Sequence, residues 1–463
     1  MKYIIGPALF VLAAFSAQAA DLQLGRAAVK ITPPAGMPMA GYYRVRLSEG
    51  VHDDLYAKTL VLEKDGVKAA LVACDLVGIP RPIIEAARRR ISESTGIKGE
   101  QVMISATHCH TGPEMGSRLT GVDAKTMQLA HEYLDSLPAK IAESVKQADG
   151  NLRPARLQAA VGKEYNLSFI RRFLMKDGTV GWNPGKHNSN IVHPMGTIDP
   201  DVPVLYFETP EPKPQPLATY VNFAMHLDTV GGNLISADYP YTLARLLAEV
   251  KGPDMLTEFT IGTAGNINHV DVKSPDPQKG NAEAARIGTI LAGDVLKTFR
   301  HLEPVEAGPL EVRSEIVKIP LPSYKPSDVE KARKVVAAYS TPGAYPFYDQ
   351  VYAFKVLDLE ERHRQPIEAE VQVISLGDQI AWVGLPGEIF DELGKAIKVA
   401  SPFPSTIIAE LANGSIGYVP DLKAYPEGAY EVVSTRCAPG GGELLVDAAT
   451  RLLVAAHKAA HGR

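Results

Sequence analysis

Apolar runs of strand length alternate with helix-patterned segments along most of the chain, and that rhythm restricts it to an α/β architecture. VKAALVACDLV (67–77) reads as a buried strand. RPIIEAARRRISEST then reads as a helix, with Pro82 in its first turn and Gly96 past its end. QVMISA (101–106) is the next strand, and a helix follows from Ala124 to Gln147. LATYVNFAMH (217–226), TEFTIGTAGNIN (257–268) and TIIAELANG (406–414) each begin as strands and run into loops. YTLARLLAEV, NAEAARIGTILAGDVLKTF, FDELGKAIKVAS and ELLVDAATRLLVAAHKAA carry the helical period, and EAEVQVISLGDQIAWVGLPGE reads as a hairpin turning at Gly377-Asp378. The expected fold is one central, mostly mixed sheet flanked by helices, without an internal repeat. Segments 163–202 and 413–441, rich in Gly, Pro and Tyr, read as long loops of the kind that shape a site.

The N-terminus MKYIIGPALFVLAAFSAQA has an early lysine, an apolar core and an A-x-A end at Ala17-Gln18-Ala19. It reads as a secretory signal peptide over residues 1–19, cleaved after Ala19, which makes the mature protein periplasmic or secreted. Residues 20–463 then form a single catalytic domain. No later run has the roughly 18 unbroken apolar residues of a membrane span. The formal charge of −5 becomes −6 when Lys2 leaves with the leader. With no basic blocks, nucleic acid is excluded as a partner. Cys74, Cys109 and Cys437 are too few for a disulfide framework, although one bridge is compatible with export.

In α/β proteins ligands gather beyond the carboxyl ends of strands. His108 and His110 follow QVMISA, His226 ends LATYVNFAMH, and His269 follows TEFTIGTAGNIN. Glu388 closes QIAWVGLPGE, and Tyr418 lies just past TIIAELANG. In an extended segment, residues two apart point to one side, so both imidazoles of His108-Cys109-His110 would face one cavity, with Cys109 turned away into packing. His and Glu donors with an open position suit a catalytic zinc. The motifs of other hydrolases are missing. His131-Glu132 lacks the second histidine of H-E-x-x-H, and NGSIG (413–417) has Asn where a nucleophile elbow needs Gly. No P-loop, dinucleotide fingerprint or C-x-x-C is found.

SATHCHTGP, FAMHLDTVGGNLISADYP, LPGEIF and NGSIGYVPDLKAYPEGAYE stand in the order of matching blocks in the neutral/alkaline non-lysosomal ceramidases, which the chain resembles from about residue 22 to 455. The resemblance implies one zinc per chain held by His108, His226, Glu388 and Tyr418. It implies His110 as a pocket-lining proton carrier and Tyr430 as a hydrogen-bond donor to substrate. Arg171, or equally Arg172, stands where the family keeps a substrate-facing arginine. Where ceramidases have G-D-V-S-P-N with a serine implicated in catalysis, this chain has Gly265-Asn266-Ile267-Asn268-His269-Val270. Asn268 is no nucleophile, so a zinc-activated water, with His110 or His269 protonating the leaving amine and Tyr430, Arg171 and the Asn266–Asn268 amides around the oxyanion, is the expected chemistry. The implied substrate is an N-acyl amide, ceramide-like or otherwise lipid-like, with peripheral membrane contact. A zinc esterase or lactonase on the same site, or an exported binding protein that has lost catalysis, are the alternative readings. The stretch that resembles the family ends before its immunoglobulin-like C-terminal domain, so a catalytic domain without that module is expected.

Overall fold

The computed structural model describes residues 22–116, 121–339, 341 and 343–461. The leader expected over 1–19 lies outside the described residues. Among them, no helix is long and apolar enough to cross a membrane.

One topological unit occurs three times. The first comprises β1 (Gln23–Lys30), β2 (Tyr56–Lys64), β3 (Val67–Cys74), α1 (Arg81–Thr95), β4 (Val102–Ala106) and α2 (Ala124–Asp149). The second comprises β5 (Arg156–Lys163), β6 (Asp201–Glu208), β7 (Pro216–Phe223), α3 (Tyr239–Lys251), β8 (Leu256–Ile261) and α4 (Asn281–Thr298). The third runs β9 (Leu310–Ile319), α5 (Pro326–Ala337), α6 (Phe347–Glu361), β10 (Ile367–Leu376), β11 (Ile380–Gly384), α7 (Asp391–Ala400), β12 (Ser405–Ala409) and α8 (Gly441–His461). In each unit three strands form an antiparallel meander. A helix then crosses over to a fourth strand that pairs in parallel with the third. The spatial orders are β4-β3-β2-β1, β8-β7-β6-β5 and β12-β11-β10-β9. The helical hairpin α5–α6 is an insertion peculiar to the third unit.

The mixed α/β class is as expected, but the single central sheet is not: three mixed sheets share the core. Alternate residues of each strand go to different places. Leu60, Leu62 and Leu71, with Leu205 and Phe207, and with Ile374 and Trp382, meet in one core between the sheets. Their neighbours Val61, Val72, Val204 and Phe223 face the helices of the first two units, while Val373, Ala381 and Val383 face α7 and α8. Strands buried on both faces read as continuous apolar runs, and such runs do not reveal how many sheets they build.

Local chemistry sets the helix ends. Pro82 opens α1 and Gly96 closes it at φ +75°. Asp123 caps α2 by accepting from the Thr126 amide. Segment 163–202, expected as loop, carries a small sheet of Arg172–Met175 with Val180–Trp182 and Ile191–Pro194, and 413–441 carries the helices Ala424–Glu427 and Ala429–Ser434. All three cysteines are buried and free.

The carboxyl ends of the three fourth strands meet. The Ala106 amide donates to Leu411 O (3.1 Å), the Asn413 amide to Ile104 O (2.8 Å) and the Glu410 amide to Ile261 O (3.2 Å). The helices also sit tightly on their sheets. A Cβ at Gly25 of β1 would lie 1.9 Å from the Ala148 carbonyl oxygen of α2, so only glycine permits that approach. Gly25→Ala is expected to lower the unfolding free energy by about 2–3 kcal/mol in urea titrations, as overpacking typically does. A loss of less than about 0.5 kcal/mol, the scale of ordinary surface changes, would contradict this packing.

Candidate metal centre

The site lies where those strand ends converge. β4 stops at Ala106, and His108 adopts φ +74°, so the extended-strand argument for His108 and His110 does not hold locally. The two rings converge all the same, because the turn folds His110 back: its amide donates to Leu227 O at 3.1 Å, next to His226. His108 Nε2 lies 3.0 Å from His226 Nε2 and 3.1 Å from His110 Nε2. Glu388 Oε2 is 3.4 Å from both His108 Nε2 and His226 Nε2. The Tyr418 hydroxyl is 3.5 Å from His226 Nε2. Glu388 and Tyr418 are direct partners in a short parallel ladder, Glu388–Ile389 against Tyr418–Val419. Cys109 points into the core, as expected, and burial pushes its thiol pKa well up.

Proton positions follow from the neighbours. His108 Nδ1 donates to Val77 O (2.6 Å) and His226 Nδ1 to Ala264 O (2.9 Å), since a carbonyl can only accept. In the neutral rings both Nε2 atoms are then lone pairs, and they face each other. Burial, Arg171 and His108 hold the His226 pKa down to about 3, and burial with His108 and His226 holds His110 well below the usual range. Glu388 Oε2 is buried without a hydrogen-bond donor. The His108 and His226 Nε2 lone pairs and the Glu388 carboxylate therefore converge on one point, and a cation fits between these three acceptors where a hydrogen bond does not. His108, His110 and His226 form a group able to hold a metal ion among the described residues, and N,O donors of this kind suit zinc.

Several groups fix this constellation from behind. Glu410 Oε2 accepts from the Ile389 amide (2.7 Å) and the Ala264 amide (3.2 Å), tying together the backbone beside Glu388 and beneath His226. A Cβ at Gly265 would lie 2.5 Å from Glu388 O, so this glycine lets the two loops touch. Asp228 Oδ1 stands 3.7 Å from His110 Nδ1 and accepts from the Tyr42 hydroxyl. Glu410 and Tyr42 were missed in the sequence. Glu410 had a signal there, as a lone acid inside the apolar run TIIAELANG, whereas Tyr42 had none.

The cavity at this site measures about 960 Å³. His108, His110, Glu388, Tyr418 and Tyr430 line it, whereas Arg171, Asn268 and His269 are not among its lining residues. Asn268 donates to Asn183 Oδ1 (2.9 Å), and His269 Nε2 donates to Gln278 O (2.7 Å). Arg171 lies behind Tyr418, its Cζ 5.4 Å from the ring centre, while Arg172 lies over Phe390. Both arginines clamp buried Glu431, at 2.8 Å and 2.9 Å. Tyr430 packs edge-on against Tyr418 (5.3 Å) and on Trp182 (4.4 Å) and Phe347 (5.6 Å), giving the cavity an aromatic flank.

An α/β fold with imidazoles and a carboxylate buried at converging strand ends defines a protein with a candidate hydrolytic metal centre. Residues 22–249 match the family described as Neutral/alkaline non-lysosomal ceramidase, N-terminal. The chain belongs to this neutral/alkaline ceramidase family. It is similar to Neutral ceramidase 3 of Arabidopsis thaliana, 27% identical over 191 residues, which is 39% of this chain and only 24% of that protein. Neutral ceramidase B of Dictyostelium discoideum is 22% identical over 510 residues, covering 90% of this chain and 70% of that one. The fold matches the crystal structure of neutral ceramidase from Pseudomonas aeruginosa at a TM-score of 0.72 and 19% identity, over 95% of this chain and 75% of that one.

Mass spectrometry of the purified protein is expected to find about one divalent metal per chain, the stoichiometry of a single catalytic site. His226→Ala is expected to lose it. Full metal occupancy in that variant would contradict the centre described here.

Proposed function

We propose that the chain is an exported, zinc-dependent hydrolase of N-acyl amide bonds, ceramide-like in substrate, acting through water and without a covalent enzyme intermediate. The observation that carries this reading is the 3.0 Å approach of two Nε2 lone pairs beside the donor-less Glu388 oxygen. In this reading His108, His226, Glu388 and Tyr418 hold the ion, in one domain spanning residues 20–463 after a leader of 1–19. A divalent ion there would supply Lewis acidity and would lower the pKa of a bound water from 15.7 toward about 7, making hydroxide available as the nucleophile near neutrality.

The remaining work falls to the side chains. His110 reaches the cavity with Nε2 beside His108 and with Nδ1 toward Asp228, so it is placed to take a proton from the attacking water and return it to the leaving amine. As a neutral imidazole it accepts through one ring nitrogen and donates through the other. Tyr430, in the wall next to Tyr418, supplies an O–H to the oxyanion. Trp182, Phe347 and Tyr43 pack around Tyr430 and hold it in the wall, while Met115, Met127, Val336, Phe354 and Leu357 give an acyl chain an apolar flank. Arg171 acts through Tyr418: its buried guanidinium against the phenol favours the ionised ring, opposing the rise that burial, Glu388 and Tyr430 impose. With Asn268 and His269 off the cavity wall, proton transfer falls to His110.

Hydrolysis of an N-acylsphingosine and of a matched fatty ester tests the reading. The amide is expected to be cleaved, with Tyr430→Phe lowering kcat about 10²–10³-fold, as loss of one oxyanion donor does. Cleavage of the ester alone would replace the amidase reading with an esterase on the same site.

A further inference from the structure

A second cavity of about 590 Å³ adjoins the catalytic one, and Pro80, Arg362, Ser415 and Ile416 line both. Its wall is cationic. Arg81, Lys318 and Arg362 line it against one acid, Glu368. Arg81 is paired with Glu85 at 2.8 Å, whereas Lys318 and Arg362 are exposed and make no ion pair among the described residues. The first turn of α1, which holds no acidic residue, borders the same space, so the positive end of its dipole adds to the field. The wall is also firmly built. Asn413 accepts from the Ile104 amide (3.1 Å) and donates to buried Gln372 (2.7 Å), which holds the loop carrying Ser415.

This wall is close to the reacting centre. Pro386 and Ser415 line the second cavity, and they stand two and three residues before Glu388 and Tyr418. Three residues of chain span at most about 11 Å, so a group in the second cavity is within reach of the scissile bond on one molecule. An uncharged lipid amide offers nothing to two unpaired cations. A carboxylate, matched by the fork of Arg362 and the point charge of Lys318, does.

The geometry points to an anion-binding subsite at Lys318 and Arg362. The substrates it selects are N-acyl amides bearing a carboxylate on one of their two halves. This rests on the N-acyl amidase reading above and narrows its substrate class. Three amides of similar length test it with the zinc-loaded enzyme: N-dodecanoyl-6-aminohexanoate, with the anion on the amine half; N-dodecyl adipamate, with the anion on the acyl half; and uncharged N-hexyldodecanamide. One of the two anionic amides is expected to exceed the neutral one by about tenfold or more in kcat/KM, the scale of a charge-assisted hydrogen bond. The ratio should fall to about threefold or less in Lys318→Gln/Arg362→Gln, and at high salt, since exposed cations are screened. Arg90→Gln, on the far side of α1, should leave the ratio in place. Equal rates on all three amides, or a preference that survives the double substitution, would overturn the subsite while leaving the amidase reading intact. Should none of these three amides be cleaved, the N-acylsphingosine assay above still decides the amidase reading. Calorimetric binding of the same compounds then decides the subsite: tighter binding of an anionic amide that the double substitution removes supports it, and equal affinities overturn it.

Discussion

Two imidazoles whose Nδ1–H groups are committed to backbone carbonyls must present their Nε2 lone pairs to whatever lies between them. In this protein each presents it to the other, at 3.0 Å, with a carboxylate oxygen 3.4 Å from both. Such a cluster is repulsive unless a positive charge occupies the point of convergence. The surrounding fold holds the acceptors in place against that repulsion. Val77 O and Ala264 O orient the rings, Glu410 clamps the loops at 264 and 389, and Gly265 allows those loops to touch.

The repeated topology explains why so many donors meet. Each unit ends its third and fourth strands side by side and in parallel, so each sheet delivers two loops to the same end. The first unit supplies His108 and His110, the second His226, and the third Glu388 and Tyr418. Because the fourth strands β4, β8 and β12 adjoin one another, these loops share one space. The third unit alone inserts α5 and α6; Phe354 from this insertion extends the wall of that space, and Phe347 packs behind it on Tyr43 and Tyr430.

Most elements were legible in the sequence because apolar period and end signals agreed, as for α1 between Pro82 and Gly96. The count of sheets was not, since strands buried on both faces carry no one-sided pattern. The same limit hid α6, whose Phe347, Tyr348, Val351, Tyr352, Ala353, Phe354 and Val356 are spread around most of the axis, with Phe347, Tyr348 and Tyr352 left exposed. His108 and His110 were found for a reason that proved local and incorrect, an extended backbone, while the actual turn delivers both rings by another route. Tyr430 could be singled out only through the family resemblance, and Tyr418 was marked by the residues only through its place past a strand end. The proximity of Tyr418 to Glu388 depends on a parallel ladder between 388–389 and 418–419, and no short-range pattern encodes a pairing across that distance.

X-ray absorption spectroscopy at the zinc edge, on protein loaded with one zinc per chain, tests the central claim most directly. The account predicts a first shell of nitrogen and oxygen neighbours at about 2.0–2.1 Å with imidazole outer-shell scattering, and no sulfur near 2.3 Å. A thiolate shell would mean that Cys109 turns into the site. A shell without imidazole would mean that the ion binds elsewhere and that the converging histidines are held together for some other reason.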